Sequence, residues 1–266
     1  MKCLSCLLVA LTALGLQVAE ATVVTVGAAK DGTIFQDSPN NSNGNGAGIF
    51  AGSNNATTPS PRRGLISFDL TSIPAGAMII DVQLTLTLGQ IGGGVSSVTA
   101  LRSFGLYTLS RDWGESSIGT STQFSGNAAA NPGDASWNSA SSPTAWSTAG
   151  GDHNATASTV LSADMKWETE TAYSWTSTAQ LISDVQGWIN DSATNFGWEI
   201  ISGQESTAQS VFVFYSSEWS TNTNQRPRLI VTYTETPEPT GGQLFGAAAL
   251  ALLLGYRFRG RDVISG

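Results

Sequence analysis

The chain has 266 residues, of which 12% are charged and 41% hydrophobic, with a formal net charge of −8. Between residues 22 and 236, 8 Lys and Arg stand against 17 Asp and Glu, a net of −9, so phosphate backbones are repelled and nucleic acid is excluded as a partner class. Anionic polysaccharides are repelled as well unless local arginines or bound cations intervene. The many Gly, Ser, Thr and Asn residues alone would suit a disordered chain, but 8 Trp and 10 Phe with abundant Ile and Val supply a core.

At the N-terminus, Lys2, an apolar run over 7–16 and Ala19-Glu20-Ala21 read as a secretory signal peptide (1–21) cleaved after Ala21. Cys6 precedes the apolar run rather than following it, which argues against a lipoprotein. Both cysteines, Cys3 and Cys6, fall in this leader, so the mature chain expects no disulfide and no thiolate metal site. Its stability must come from packing.

From there the periodicity is that of strands. A short β-branched run occupies 23–26, and 36–55 is crowded with Asn, Ser and Gly around a possible strand at 47–50. Over 62–70, Leu65, Ser67 and Asp69 alternate with Ile66, Phe68 and Leu70. After a turn at 73–76, residues 78–88 give the cleanest strand, with Ile80, Val82, Leu84, Leu86 and Leu88 on one face. Gly92-Gly93-Gly94 breaks it, and another strand begins at Val98. Residues 110–151 read as loop, yet carry Trp113, Trp137 and Trp146. Strands follow at 172–175, 195–202, 210–216 and 228–233. Between them, Leu181, Ile182, Val185, Trp188 and Ile189 recur at spacings of three and four, the one amphipathic helix of the domain. The pattern predicts an all-β fold: an antiparallel β-sandwich, jelly-roll-like, with one short helix.

The C-terminal end differs. A linker over 235–243 carries Pro237-Glu238-Pro239, and 244–266 holds a 13-residue apolar run to Tyr256 followed by Arg257, Arg259 and Arg261. As a helix the run spans about 20 Å against a hydrocarbon core of about 30 Å, a short transmembrane helix with its basic end cytoplasmic. An ordinary membrane anchor is one reading. Lipid-anchor signals of the glycosylphosphatidylinositol type end apolar, which disfavours that class.

This ordered tail resembles the PEP-CTERM sorting signal of Gram-negative bacteria. The resemblance implies processing by an exosortase, transient residence in the inner membrane, and delivery to the cell surface or extracellular matrix. A second resemblance spans most of 23–234. It rests on Arg63 to Leu70, Ile73-Pro74-Ala75-Gly76-Ala77, Trp113-Gly114-Glu115, Trp137-Asn138, the helix ending at Trp188, Asn195-Phe196-Gly197-Trp198 and the closing Arg226-Pro227-Arg228-Leu229. These segments are similar to DNRLRE-domain proteins, extracellular β-sandwiches related to carbohydrate-binding modules. No catalytic motif comes with that resemblance.

The chemistry-bearing residues point the same way. His153 is the only histidine, which excludes a His₂ or His₃ metal site within one chain; no Gly-x-Ser-x-Gly elbow accompanies it, and it reads as a surface loop residue. Carboxylates are plentiful enough for a two-carboxylate glycosidase, but their spacing in three dimensions is not legible. No cofactor is expected; a structural calcium ion fits an extracellular sandwich, although no regular acidic loop places it. Trp137, Asn138 and Trp146, set among Ser, Ala, Pro and Gly, suit an exposed platform on which a sugar ring stacks. The alternative is that these rings cap an open end of the sandwich. The expectation is thus a non-catalytic exported matrix protein that binds polysaccharide. A structural or adhesive component without a defined ligand, or a polysaccharide-degrading enzyme, are the competing readings.

Overall fold

The computed structural model describes residues 20–54, 57–124, 127–163 and 166–235. The leader through Ala19, and the tail with Pro237, Glu238, Pro239, Arg257, Arg259 and Arg261, lie outside the described residues. Ala21–Thr234 forms one compact unit. Among the described residues no helix is long and apolar enough to cross a membrane.

The unit is all-β with one α-helix. In chain order come β1 (Ala21–Phe35), β2 (Asn41–Asn43), β3 (Gly48–Ser53), β4 (Pro61–Phe68), β5 (Met78–Ile91), β6 (Ser97–Val98) and β7 (Arg102–Thr108). Short strands follow: β8 (Ala128–Ala129), β9 (Ser139–Ser141), β10 (Thr144–Ala145), β11 (Thr159–Ala163), β12 (Trp167–Glu168) and β13 (Thr171–Trp175). Helix α1 (Ala179–Asn190) precedes β14 (Trp198–Ser202), β15 (Phe212–Tyr215) and β16 (Arg228–Thr234).

Two antiparallel sheets face each other. In the first, β16 lies between the opening half of β1 and β5, which also pairs with β13 and β15; β3 continues beyond β15. The second runs β11, β7, β14, β4 and then the closing half of β1, extended by β2 and β8. Strand β1 serves both sheets by bending where its register shifts between Ala28 and Lys30. Strand β3 does the same at Gly52, after which residues 52–53 pair with β4. Gly52 has φ +118°, and a β-carbon there would lie 2.6 Å from the Ser210 carbonyl oxygen, so the crossing requires glycine.

Inward-facing side chains of both sheets make the main core, including Val82, Leu84, Leu86, Leu88, Phe104, Trp198, Phe212 and Phe214. Each fully buried large apolar side chain contributes about 1.5–3 kcal/mol. The alternation of β5 departs from a simple strand at one place. A bulge opposite Thr232 and Tyr233 turns Ile79 inward and leaves Ile80 45% exposed. Helix α1 closes one end of the sandwich. Thr178 Oγ1 caps it by accepting the Leu181 N–H at 3.0 Å, and Leu181, Val185 and Trp188 are buried. The Gln186 side chain ties the helix to the chain entering β5, accepting from Ile79 N and donating to Ala77 O.

Much of the loop-like segment 110–151 is a third layer. It packs Trp113, Ala135, Trp137, Ala140 and Trp146 over the outer face of the second sheet, against Ile34, Leu65 and Leu109. This explains why β4 is buried on both faces from Gly64 to Phe68.

Candidate functional site

The sugar platform expected at Trp137, Asn138 and Trp146 is not formed. Trp137 is 7% and Trp146 5% exposed, with the indole N–H of Trp146 donating to Ser136 O at 2.8 Å. The Arg63 guanidinium lies 5.1 Å from the centre of the Trp137 ring, and Gly150 packs closely on the same side chain. Asn138 is half-buried and donates to Asn40 Oδ1. These tryptophans are apolar cover for a sheet whose outer face carries Leu65 and Ile34. Neither offers a free ring face.

An open concavity lies instead on the other sheet. The stretch Val211-Phe212-Val213-Phe214-Tyr215 is apolar at every position. The pleat sends Phe212 and Phe214 into the main core and turns Val211 and Val213 outward. Phe50 of β3 joins them, and half-buried Phe124 packs on the group. Phe124 can lie this low because Gly89 sits beneath it; a β-carbon there would meet the ring. What remains is a groove of about 520 Å³, inside the size range of small-ligand sites.

Its rim is polar and almost uncharged. Gln90, Gln123, Gln209, Asn54 and Arg62 line it beside Gly92 and Gly93. Arg62 is the single charged side chain among these lining residues, in a domain rich in carboxylates. Its guanidinium lies 5.3 Å from the ring of Phe35 and 5.7 Å from that of Phe50. Among the described residues its one ion pair is a 3.5 Å contact to Asp37, and its buried Nε has no partner there.

Next to the groove the aromatic surface continues. Phe124 and Trp219 are stacked at 5.9 Å with an interplanar angle of 19°, and Tyr215 and Trp219 at 4.5 Å with 24°. Trp219 donates to Gln225 Oε1 at 3.0 Å, and Gln225 in turn bonds Glu170, which accepts the Tyr215 hydroxyl. Burial and the Glu170 carboxylate push the Tyr215 phenol well up, so it remains a donor. Among the described residues only Glu170 (φ 64°) and Gln209 (φ 56°) are non-glycines at positive φ. Such backbone strain concentrates at functional sites, and here both residues belong to the groove or its support.

A second polar cluster is built differently. Glu199 on β14 is fully buried beneath the third layer, with His153 Nδ1 2.6 Å and Arg63 Nη1 3.7 Å from its oxygens. Arg63 is also held bidentately by Glu205 at 2.8 and 3.0 Å and donates to Gly150 O. Burial raises the Glu199 pKa, while His153 and Arg63 oppose the rise. Gly151 closes the site; a β-carbon there would lie 2.6 Å from Glu199 Oε2. With no path for a substrate to that carboxyl, the cluster fastens the third layer to the sheet. His153 is therefore a half-buried strut, not the surface residue expected.

The chain matches no family model and no curated protein. The site therefore rests on geometry. Of the groove residues, Arg62 was visible in the sequence as half of an arginine pair. Gln209, Phe124 and Phe50 carried no motif; the one usable signal was the unbroken apolar run 211–215, which implies a strand that buries both faces.

Proposed function

We propose that the domain binds glycans, non-catalytically, in the groove floored by Phe50, Val211 and Val213. One observation carries the reading: among the described residues, an acidic protein lines an apolar concavity with amides and one arginine and with no carboxylate. Sugar C–H faces stack on aromatic and aliphatic surface while hydroxyls exchange hydrogen bonds with amides and guanidinium. The Arg62 fork also accommodates a carboxylate-bearing sugar in an otherwise repelling protein. Glycosidic cleavage needs two carboxyl groups across the bond, and none of the described residues lining this groove is a carboxylate, which favours binding over hydrolysis.

The same reading places the protein outside the cell. The leader and the tail support export to the surface or extracellular matrix of a Gram-negative bacterium, with an exosortase and, transiently, the inner membrane as partners. The sandwich is read as jelly-roll-like because β1 and β3 each pass from one sheet to the other.

Affinity electrophoresis of wild type, F124A and R62A in gels containing purified exopolysaccharide tests the groove. Each substitution should weaken retention about tenfold, equivalent to about 1.4 kcal/mol. Retention unchanged in both variants would sink the assignment.

A further inference from the structure

From the end of β2 toward β3 the chain reads Asn43-Gly44-Asn45-Gly46, and these are the two Asn-Gly pairs of the sequence. Asparagine before glycine carries an intrinsic chemistry. The glycine main-chain nitrogen can attack the asparagine side-chain carbonyl, because no side chain on the following residue shields it. In sequence the two pairs are equivalent; the fold separates them. Asn43 is 3% exposed, and a β-carbon on Gly46 would lie 2.3 Å from its Oδ1. The nitrogen that would attack it, Gly44 N, donates to Ile118 O at 3.1 Å. Held this way, it reaches the carbonyl only after local opening.

Asn45 is the reverse case. The residue is exposed, and its side chain is held by one long bond, Nδ2 donating to Gly119 O at 3.3 Å. Its own N–H donates to Ile118 O at 2.8 Å, but the next nitrogen, Gly46 N, finds no acceptor among the described residues. Gly119 lies against that nitrogen and keeps it open: at φ +123°, a β-carbon there would lie 2.3 Å from Gly46 N. Nor can Gly46 carry a shielding side chain, since its β-carbon would strike the Asn43 amide. The packing that encloses Asn43 thus requires the glycine that activates Asn45.

We propose that Asn45 is a self-modification site, converting through a succinimide to aspartate and isoaspartate while the domain stays folded. Gly46 N gives its proton to hydroxide and bonds to Asn45 Cγ. The bond from Cγ to Nδ2 then breaks, and that nitrogen takes up a proton from water and leaves as ammonia. Water opens the ring at either carbonyl. Attack at Cγ restores the ordinary main chain and leaves aspartate; attack at the main-chain carbonyl leaves Gly46 joined through Cγ, which is isoaspartate. The balance is one water consumed and one ammonia released, with no oxidant or reductant. Each event adds a negative charge.

The place of the event gives it a consequence. Isoaspartate lengthens the main chain by one carbon directly before Gly46. Gly46 O accepts the Ser216 hydroxyl at 2.6 Å, and Ala47 N donates to Gln123 O at 3.0 Å. Gln123 and Phe124 line the groove. The added carbon therefore displaces the segment on which that wall is hung, and retention of glycan falls as the protein ages. This effect on retention rests on the groove assignment; the modification itself does not.

The full chain is incubated folded in mildly alkaline buffer, with a second sample in urea. Mass spectrometry of its peptides, with electron-transfer fragmentation, then separates aspartate from isoaspartate at each position. In the folded protein, conversion at Asn45 should run at least about tenfold faster than at Asn43, which must open first, and in urea the two rates should converge. N45Q should remove the signal, because the longer side chain closes its ring far more slowly. Exopolysaccharide retention of aged wild type should fall several-fold below that of N45Q aged in parallel. Asn45 left intact in the folded chain while both sites convert in urea overturns the proposal, as does equal conversion of Asn43 and Asn45 in the folded chain. Retention unchanged after complete conversion overturns the link to the groove.

Discussion

Arg62 and Arg63 are neighbours in sequence with separate roles, because successive side chains of a strand point to opposite faces. Arg62 looks into the groove with a single long ion pair, whereas Arg63 is gripped by Glu205 and reaches the buried Glu199. Both glutamates, by hydrogen bond and charge, outweigh burial and hold the Arg63 pKa above its ordinary value. Trp137 closes that cluster with its ring against the guanidinium, which defines what its loss should do. Trp137→Ala should destabilise the domain by about 3–5 kcal/mol through the cavity it leaves. Thermal denaturation checks this, and glycan retention at a temperature where the variant stays folded should match wild type. A variant of full stability that loses retention would return the sugar platform to the tryptophan loops.

At the scale of elements, the strand alternation read from the sequence holds where a strand is plain and fails where it is bulged. Over 82–88 the apolar stripe of β5 faces the core as expected, but the bulge exchanges Ile79 for Ile80. Residue spacing alone carries no signal for an unpaired residue on one strand. Strands β11 and β12 were equally hidden, each being short and paired only through tertiary contact with β7 and β6. The helix was legible because its signal, the three-and-four spacing, is local; the structure adds the Thr178 cap. Thr178→Ala should cost about 1 kcal/mol, seen as a fall of about 2–4 °C in melting temperature. No change would mean that the interaction of Thr178 with Leu181 is replaced by solvent at no cost.

For the whole molecule, the proposed export of this acidic sandwich is tested at its tail. If the tail is a processed sorting signal, Pro237→Ala with Pro239→Ala should leave the protein membrane-bound with its tail intact. Mass spectrometry of fractionated cells reads this, and a surface protein of unchanged mass in both wild type and variant would remove exosortase processing from the account. Composition, charge and local periodicity by themselves determined the all-β class, the single helix, the unfavourable electrostatics toward nucleic acid and the need for a packed core. These are properties of short windows or of the chain as a sum. Only the tertiary structure decided that the tryptophan loops turn inward, that Arg62 rather than Arg63 meets the groove, and that Asp31 and Asn43 line one small void. Each of those depends on which faces residues far apart in sequence cover, and burial is a property of the neighbours a residue finds, not of the residue.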